Sequence, residues 1–172
     1  AQSSVTLYGV ADAGVGKIEA GSPTGNDASD KTEFISGSLM NNGTSRLGVR
    51  GIEDLGGGLK AGFQFESQID LDSGAAASSF WARQANLWLS GNWGTVKLGR
   101  QFTPSYLTGS TFELTGAANY SVLANTYNWA GIGSRANSAF AYMTPNFGGF
   151  MAGVAYVTKT DLGLSKAAYD LG

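Results

Sequence analysis

Alternation of apolar and polar residues over 45–70 constrains the fold of this chain more than any other feature. In the second half of this stretch the apolar residues of one parity are Leu59, Ala61, Phe63, Phe65 and Ile69, and the polar residues of the other are Lys60, Gln64, Glu66, Gln68 and Asp70. The first half sets Leu47 and Val49 against Arg46 and Arg50. Successive strand side chains point to opposite faces, and the turn-forming residues 53–58 separate the halves. The pattern therefore predicts a hairpin with one apolar and one polar face.

The length of the second strand separates two environments for this hairpin. The strand spans about a dozen residues, whereas strands of water-soluble proteins commonly have about five to six. A tilted strand needs about nine to eleven residues to cross a bilayer. A face rich in charges and amides suits a water-filled lumen, and an apolar face suits lipid. A soluble sandwich or barrel with its apolar face inward would alternate in the same way and remains open at this point.

Composition agrees with a membrane barrel. Charged residues make up 14% of the 172 residues, against about a quarter in soluble domains. The sequence has no run of about eighteen apolar residues that would form a transmembrane helix, yet alternation hides the span of a barrel strand from hydropathy. The net charge of −2 argues against a nucleic-acid partner.

The chain contains neither Cys nor His. Thiolate metal sites, disulfides and imidazole acid–base chemistry are therefore excluded, so we expect no enzyme, no metal and no cofactor. The first residues, Ala1 to Val5, lack a basic region and a long apolar stretch. We interpret them as a mature N-terminus from which an export signal has been removed.

The whole chain reads as about eight strands. They are predicted at 5–15, in the two halves of 45–70, and at 80–89, 96–100, 135–142, 150–157 and 166–172. In the first strand Asp12 shares the parity of Thr6 and is expected to face the interior. Arg83 falls on the parity of Leu87 and Leu89, which a bulge would reconcile.

Tryptophans and connections carry further predictions. Trp81 and Trp93 lie near opposite ends of one hairpin, as aromatic belts at two membrane interfaces would require, although core packing is the alternative.

Short connections alternate with long ones, as in an up-and-down membrane barrel. The longest connection, 101–134, is rich in aromatic residues, with Phe112, Tyr120, Tyr127 and Trp129 beside the acidic Glu113. We expect it to fold back into the lumen.

The first long connection, 16–43, carries Asp27, Asp30 and Glu33. We interpret these acids as a solvated rim. A surface Ca²⁺ site is the alternative, because carboxylate oxygens are the ligands that this ion takes.

Four motifs carry a family resemblance. They are VTLYGV at 5–10, SRLGVRGIEDLGGGLKAGFQFE at 45–66, RQANLWLSGNWGTVKLGRQ at 83–101 and TPNFGGF at 144–150. Together they resemble the general diffusion porins of Gram-negative bacteria, in particular those of β-proteobacteria. The resemblance implies an all-β fold, a sixteen-stranded antiparallel transmembrane β-barrel of the porin type. It also implies a homotrimer in the outer membrane, in contact with lipid and lipopolysaccharide, whose third extracellular loop narrows the channel.

About eight strands are half of that number, and the chain lacks the terminal aromatic residue of the family. An eight-stranded barrel is filled by its own side chains and has no room for a thirty-residue loop. We therefore expect 1–172 to be a single porin barrel domain that is incomplete at its C-terminus, with 101–134 as its inward-folded constriction loop.

The resemblance also implies a pore constriction. Arg46, Arg83 and Arg135 match wall arginines, Glu113 matches an acid on the inward loop, and Glu66 matches a lumen-facing acid. From strand parity, Arg50, Asp70 and Asp12 are further pore-lining candidates. The implied function is passive diffusion of ions and small hydrophilic solutes, with a mild anion preference.

Three other functions remain open at this point. A small closed barrel would act as an anchor or adhesin in the outer membrane. An outer-membrane enzyme is disfavoured because the chain has no His. A soluble glycan-binding sandwich would display similar Trp and Tyr residues.

Overall fold

The computed structural model describes residues 3–16, 32–37, 41–126, 132–159 and 166–172. Within these ranges lie ten strands and two helices. In chain order they are β1 Ser4–Val10, β2 Ala13–Gly16, β3 Glu33–Ser36, β4 Arg46–Gly56, β5 Leu59–Gln68, β6 Gln84–Gly91, β7 Gly94–Phe102, α1 Pro104–Phe112, α2 Val122–Thr126, β8 Arg135–Met143, β9 Gly153–Val157 and β10 Ala168–Leu171.

Eight of the strands form one antiparallel sheet in the order β1-β4-β5-β6-β7-β8-β9-β10, and β2 pairs separately with β3. From β4 onward each strand of the large sheet pairs with the next one in the chain. Among the described residues β1 and β10 are the two edges, so the sheet is open. The small closed barrel is therefore not the arrangement of these strands. Neither α1 nor α2 is long and apolar enough to cross a membrane.

The sheet has the two faces that alternation predicts. Strand register aligns Leu7 with Val49 and Val49 with Phe65 in one row of the apolar face. The neighbouring row aligns Tyr8, Gly48 and Glu66. Leu7 is 72% exposed on the apolar face, as a side chain that contacts lipid would be. The predicted antiparallel sheet with one polar and one apolar face is thus confirmed.

The predicted first strand, 5–15, is wrong in one respect, because it is broken into β1 and β2. Asp12 lies in the break and not on a strand of the large sheet. The backbone N–H of Asp12 donates to Ser45 Oγ (2.8 Å), and the Ser45 hydroxyl donates to the Asp12 carbonyl (3.0 Å). These bonds to a residue 33 positions away replace ladder hydrogen bonds, and so the strand ends.

The strand predicted at 80–89 begins later, at Gln84. Arg83 therefore precedes β6, and its parity conflict with Leu87 disappears. No bulge is needed, since β6 pairs in regular register with both neighbours. The register shift lies in β7 instead, between Gly99 and Gln101.

The later strands also differ from their predicted limits. The strand predicted at 96–100 is longer, and those predicted at 150–157 and 166–172 are shorter. Phe150 is not part of β9, because it pairs with Phe147 in an isolated bridge that closes the turn.

The predicted loop 101–134 contains local structure that alternation did not indicate. Residues 101 and 102 complete β7, and α1 follows with Pro104 in its first turn, where a missing N–H costs nothing. α1 packs against β9 and β10. The inner wall there includes Ala155 of β9, which is small and buried.

Aromatic side chains gather at both ends of the β6–β7 hairpin. Trp81 packs edge-on against Phe80, with ring centroids 4.7 Å apart, and also contacts Phe65. At the other end Trp93 stacks on Tyr142, with centroids 6.5 Å apart. Trp81 and Trp93 are both partly exposed, so neither is enclosed in a core, and their place in two aromatic belts stays a prediction.

Gly48 provides a test of this packing. A Cβ at residue 48 would overlap the ring of Tyr8, whose hydroxyl is tied to Gln64 and Glu66. We expect Gly48→Ala to destabilise the folded protein by about 1–3 kcal/mol, the usual cost of overpacking. The measurement is the urea midpoint of the detergent-solubilised protein. Gly14→Ala is the matched control, because nothing lies within 4 Å of a Cβ at that position. Equal midpoints for the two variants would contradict this account.

Candidate functional site

A cavity of about 860 Å³ lies between the polar face of the sheet and the chain that joins α1 to α2. From the sheet side its charged lining residues are Asp12, Arg46, Glu66, Arg83 and Arg135. From the other side it is lined by residues 116–119 and by Asn125. The three wall arginines of the resemblance and Glu66 are thus brought together around one space.

Glu66 is the centre of the charged cluster. Its buried carboxylate accepts a hydrogen bond from Arg83 Nε (2.6 Å), and Arg46 Nε lies 3.9 Å away. The backbone N–H of Arg83 also donates to the Glu66 carbonyl (3.1 Å). A charge-assisted bond combined with a backbone bond fixes Arg83 firmly, although Arg83 lies outside β6.

Tyr8 completes the coordination of Glu66, and the sequence motifs did not single it out. Its hydroxyl donates to Glu66 Oε2 (2.8 Å) and accepts from Gln64 Nε2 (2.7 Å). The ring lies against Gly48, and the guanidinium carbon of Arg50 is 5.4 Å from the ring centre. In the sequence, Tyr8 has the same parity as the polar residues Thr6 and Asp12 of the predicted first strand. This shared parity was the signal that could have identified Tyr8. Arg50 contacts this ring and is not among the residues that line the cavity.

Arg135 is placed differently from the other two arginines. Its guanidinium carbon lies 4.2 Å above the centre of the Phe102 ring, a cation–π arrangement. Its Nε is buried without a hydrogen-bond partner. No carboxylate among the described residues forms an ion pair with it within 4.0 Å, so its charge is less compensated than that of Arg83.

Asp12 lines the cavity and also holds a neighbouring segment. Its carboxylate accepts from Asn41 Nδ2 (2.9 Å) and from the backbone N–H of Gly43 (2.7 Å). The Asn41 hydrogen bond, followed by that of Gly43, lowers the pKa of Asp12 below its ordinary value. Asp12 therefore stays ionised, but its oxygens are already engaged by 41–43.

Glu113 lies at the end of α1, and its own segment engages its carboxylate. The carboxylate accepts from the Thr115 hydroxyl (2.6 Å) and from the backbone N–H groups of Thr115 (2.9 Å) and Ala117 (2.7 Å). The Thr115 hydroxyl bond, and then the Ala117 bond, lowers the pKa of Glu113 below its ordinary value. Glu113 is not among the residues that line the cavity. Its place in the structure is that of a turn-forming residue.

Among the described residues, neither Asp70 nor Glu33 lines this cavity. Asp70 follows β5, where it accepts from Gln68 Nε2 (3.1 Å) and begins a turn closed by its backbone bond to Ala75 (2.8 Å). Of the acids interpreted as a solvated rim, Glu33 begins β3, whereas Asp27 and Asp30 lie outside the described residues, as do Tyr127 and Trp129. Within the described part of the chain, no cluster of Cys, His, Asp and Glu could hold a metal ion.

The charge balance of the cavity follows from these contacts. Three arginines face two carboxylates among the lining residues, and both carboxylates already accept hydrogen bonds. Guanidinium groups carry five N–H donors each and accept nothing. The space is therefore suited to polar or anionic solutes that offer oxygen acceptors.

Comparison with known proteins agrees with the fold. Residues 1–171 match the Gram-negative porin family. The chain is 41% identical over 162 residues to outer membrane porin protein 32 of Delftia acidovorans, covering 91% of this chain and 44% of that protein. It is 33% identical over 172 residues to an outer membrane porin protein of Bordetella pertussis, covering 91% of this chain and 43% of that protein.

A solved structure is also similar. An anion-selective porin from Comamonas acidovorans superposes with a TM-score of 0.73 at 40% identity, covering 92% of this chain and 48% of that one. The chain thus spans about half the length of the relatives it matches. Its strands, its two-faced sheet and these similarities agree: the chain belongs to the Gram-negative porin family, the channel proteins of the bacterial outer membrane.

Proposed function

We propose that the whole protein forms a water-filled channel for passive diffusion of ions and small hydrophilic solutes, with a mild preference for anions. The observation that supports this most is the arginine-lined cavity on the polar face of a sheet whose other face is apolar. Diffusion through such a space needs no chemical step, so the protein acts as a channel and not as a catalyst.

The anion preference follows from the fixed charges. Arg46, Arg83 and Arg135 outnumber Glu66 and Asp12 around the cavity. Fixed charges at a narrowing set ion preference, and low-dielectric walls focus their field. Since Arg83 is paired with Glu66 at 2.6 Å, the uncompensated field comes mainly from Arg46 and Arg135. The expected anion preference is therefore mild.

The complete barrel requires strands beyond those described here. The edges of β1 and β10 present backbone N–H and C=O groups that must pair within a membrane. We propose a barrel of about sixteen strands, as in porins, in which 101–134 is the constriction loop. We also propose that it is a homotrimer in contact with outer-membrane lipid and lipopolysaccharide, as the family resemblance implies. Apolar side chains on β1 and β4, such as Leu7 and Leu47, are exposed for such contacts.

Glu113 has an indirect role in this proposal. Its carboxylate holds Thr115 and Ala117 in a turn whose next residues line the cavity. Gly116 and Ala117 both have left-handed backbone conformations, with φ of 67° and 56°. This conformation is strained for a non-glycine residue such as Ala117. The hydrogen bond from the Ala117 N–H to the Glu113 carboxylate compensates for the cost of that strain.

Charge substitutions in the whole protein test the proposed selectivity. A unit charge about 8 Å away attracts an anion and repels a cation by about 0.5 kcal/mol each in water, and salt screening over about one Debye length reduces the combined effect to roughly twofold in relative permeability. We expect Arg135→Gln to lower the anion-to-cation permeability ratio about twofold and Glu66→Gln to raise it. The measurement is the reversal potential of single channels in a planar bilayer under a salt gradient.

Lys166→Gln is the matched control for these charge substitutions. It removes a positive charge from an exposed residue that does not line the cavity, and its reversal potential should equal that of the wild type. A cation preference in the wild type, or an equal shift in the Lys166 variant, would contradict the proposal. Absence of channels from correctly folded protein would overturn it altogether.

Acidification tests the role of Glu113. Because its pKa is lowered in the folded protein, its stabilising contribution is complete above the ordinary glutamate pKa of about 4.3 and is lost as the pH falls through the lower folded pKa. We expect hydrogen exchange at 115–117, corrected for intrinsic rates, to accelerate in this acid range. The Glu113→Gln variant should lack the acid-induced step. An identical step in both proteins would show that another group is responsible.

A further inference from the structure

Asp170 joins the sheet, here called the wall, to the chain that runs from α1 through α2, residues 104–126, here called the inward segment. It lies on β10, and only 2% of its surface is exposed. One carboxylate oxygen accepts from the backbone N–H of Ser105 (2.7 Å), and the other accepts from the Ser105 hydroxyl (2.6 Å). A buried carboxylate of the wall thus binds the first turn of α1 from 65 positions away.

The start of α1 lacks a cap from its own sequence. Thr103 is in the N-cap position, but its side chain makes no capping hydrogen bond. Its hydroxyl donates instead to the Gly133 carbonyl (3.2 Å). The first N–H groups of a helix have no intrahelical partner, and negative charge near them is favourable. Asp170 therefore supplies from the wall the cap that the segment does not supply itself.

The wall beneath this contact is shaped to receive the helix. Gly153 and Gly172 exchange two backbone hydrogen bonds of 2.8 and 3.0 Å. A Cβ at Gly172 would overlap the carbonyl of Pro104, and a Cβ at Gly153 would lie 3.0 Å from the Pro104 side chain. Asp170 and this glycine pair hold α1 at a distance that larger residues would not allow.

We infer that Asp170 is a positioning residue, which fixes the root of the inward segment to the wall and so sets the width of the constriction. This inference rests on the proposed channel function. The segment between α1 and α2 lines the cavity and continues directly from the helix that Asp170 anchors. Movement of α1 away from β10 would therefore change the space in front of the arginines.

Variants of the full-length protein in planar bilayers test this role. Asp170→Ala removes both contacts, whereas Ser105→Ala removes one and keeps the backbone N–H. Asp170→Asn keeps an acceptor for that N–H. Losing two charge-assisted hydrogen bonds should raise the population of displaced segments at least about tenfold. We expect brief current excursions to increase about tenfold in Asp170→Ala and less in the other two variants.

Permeation of neutral sugars of graded size into liposomes gives a second readout, because it does not depend on the charge that the substitution removes. We expect larger sugars to enter through Asp170→Ala than through the wild type. Asp54→Ala is the matched control. Its carboxylate caps Gly56 N–H (2.9 Å) in the β4–β5 turn, away from the inward segment, so its current noise and sugar limit should equal those of the wild type.

The outcomes separate this inference from the proposed function. If the wild type forms channels but Asp170→Ala leaves noise and sugar limit unchanged, the inference is wrong and the channel function stands. If the folded wild type forms no channel, the proposed function fails first. If Asp170→Ala does not fold, Asp170→Asn and Ser105→Ala decide: increased noise supports the inference, and wild-type behaviour in both overturns it.

Discussion

The buried carboxylate of Glu66 is the interaction on which the charged part of this structure depends. Guanidinium groups that converge on one space repel each other, and burying them without a counter-charge is costly. Glu66 binds Arg83 at 2.6 Å, lies 3.9 Å from Arg46 and accepts from Tyr8. These contacts join β1, β4, β5 and the residue before β6. Among the described residues, no carboxylate forms a comparable ion pair with Arg135.

A second constraint is space. A segment can lie inside a sheet of porin type only if the wall beneath it is thin, because protein interiors are close-packed. Small residues meet this requirement where α1 packs against the wall, at Ala155 of β9 and at the paired Gly153 and Gly172. Asp170 then adds a directional hydrogen bond to Ser105, because packing of small residues alone would hold α1 only weakly. The position of α1 against the wall thus depends on backbone clearance and on one buried carboxylate.

Predictions from the sequence succeeded where the determining interactions are local. The strand period of two is a property of neighbouring residues, so the hairpin 45–70 and its faces could be predicted. Predictions failed where distant contacts decide. Hydrogen bonds with Ser45 end the first strand before Asp12. A hydrogen bond with Glu66 holds Arg83 outside β6. The helix α1 has no marked alternation, and a carboxylate 65 residues away caps it.

The sequence by itself determined the class of this protein, through four motifs that resemble those of porins, and the sides of its sheet, through strand alternation. The tertiary structure decided which inward-facing groups meet. Tyr8 and Glu66 are 58 positions apart, and Ser105 and Asp170 are 65 apart. It also directed the carboxylate of Glu113 to its own turn. A hydrogen bond depends on distance in space, and strand periodicity specifies the face of a residue but not the partner that the fold brings to it.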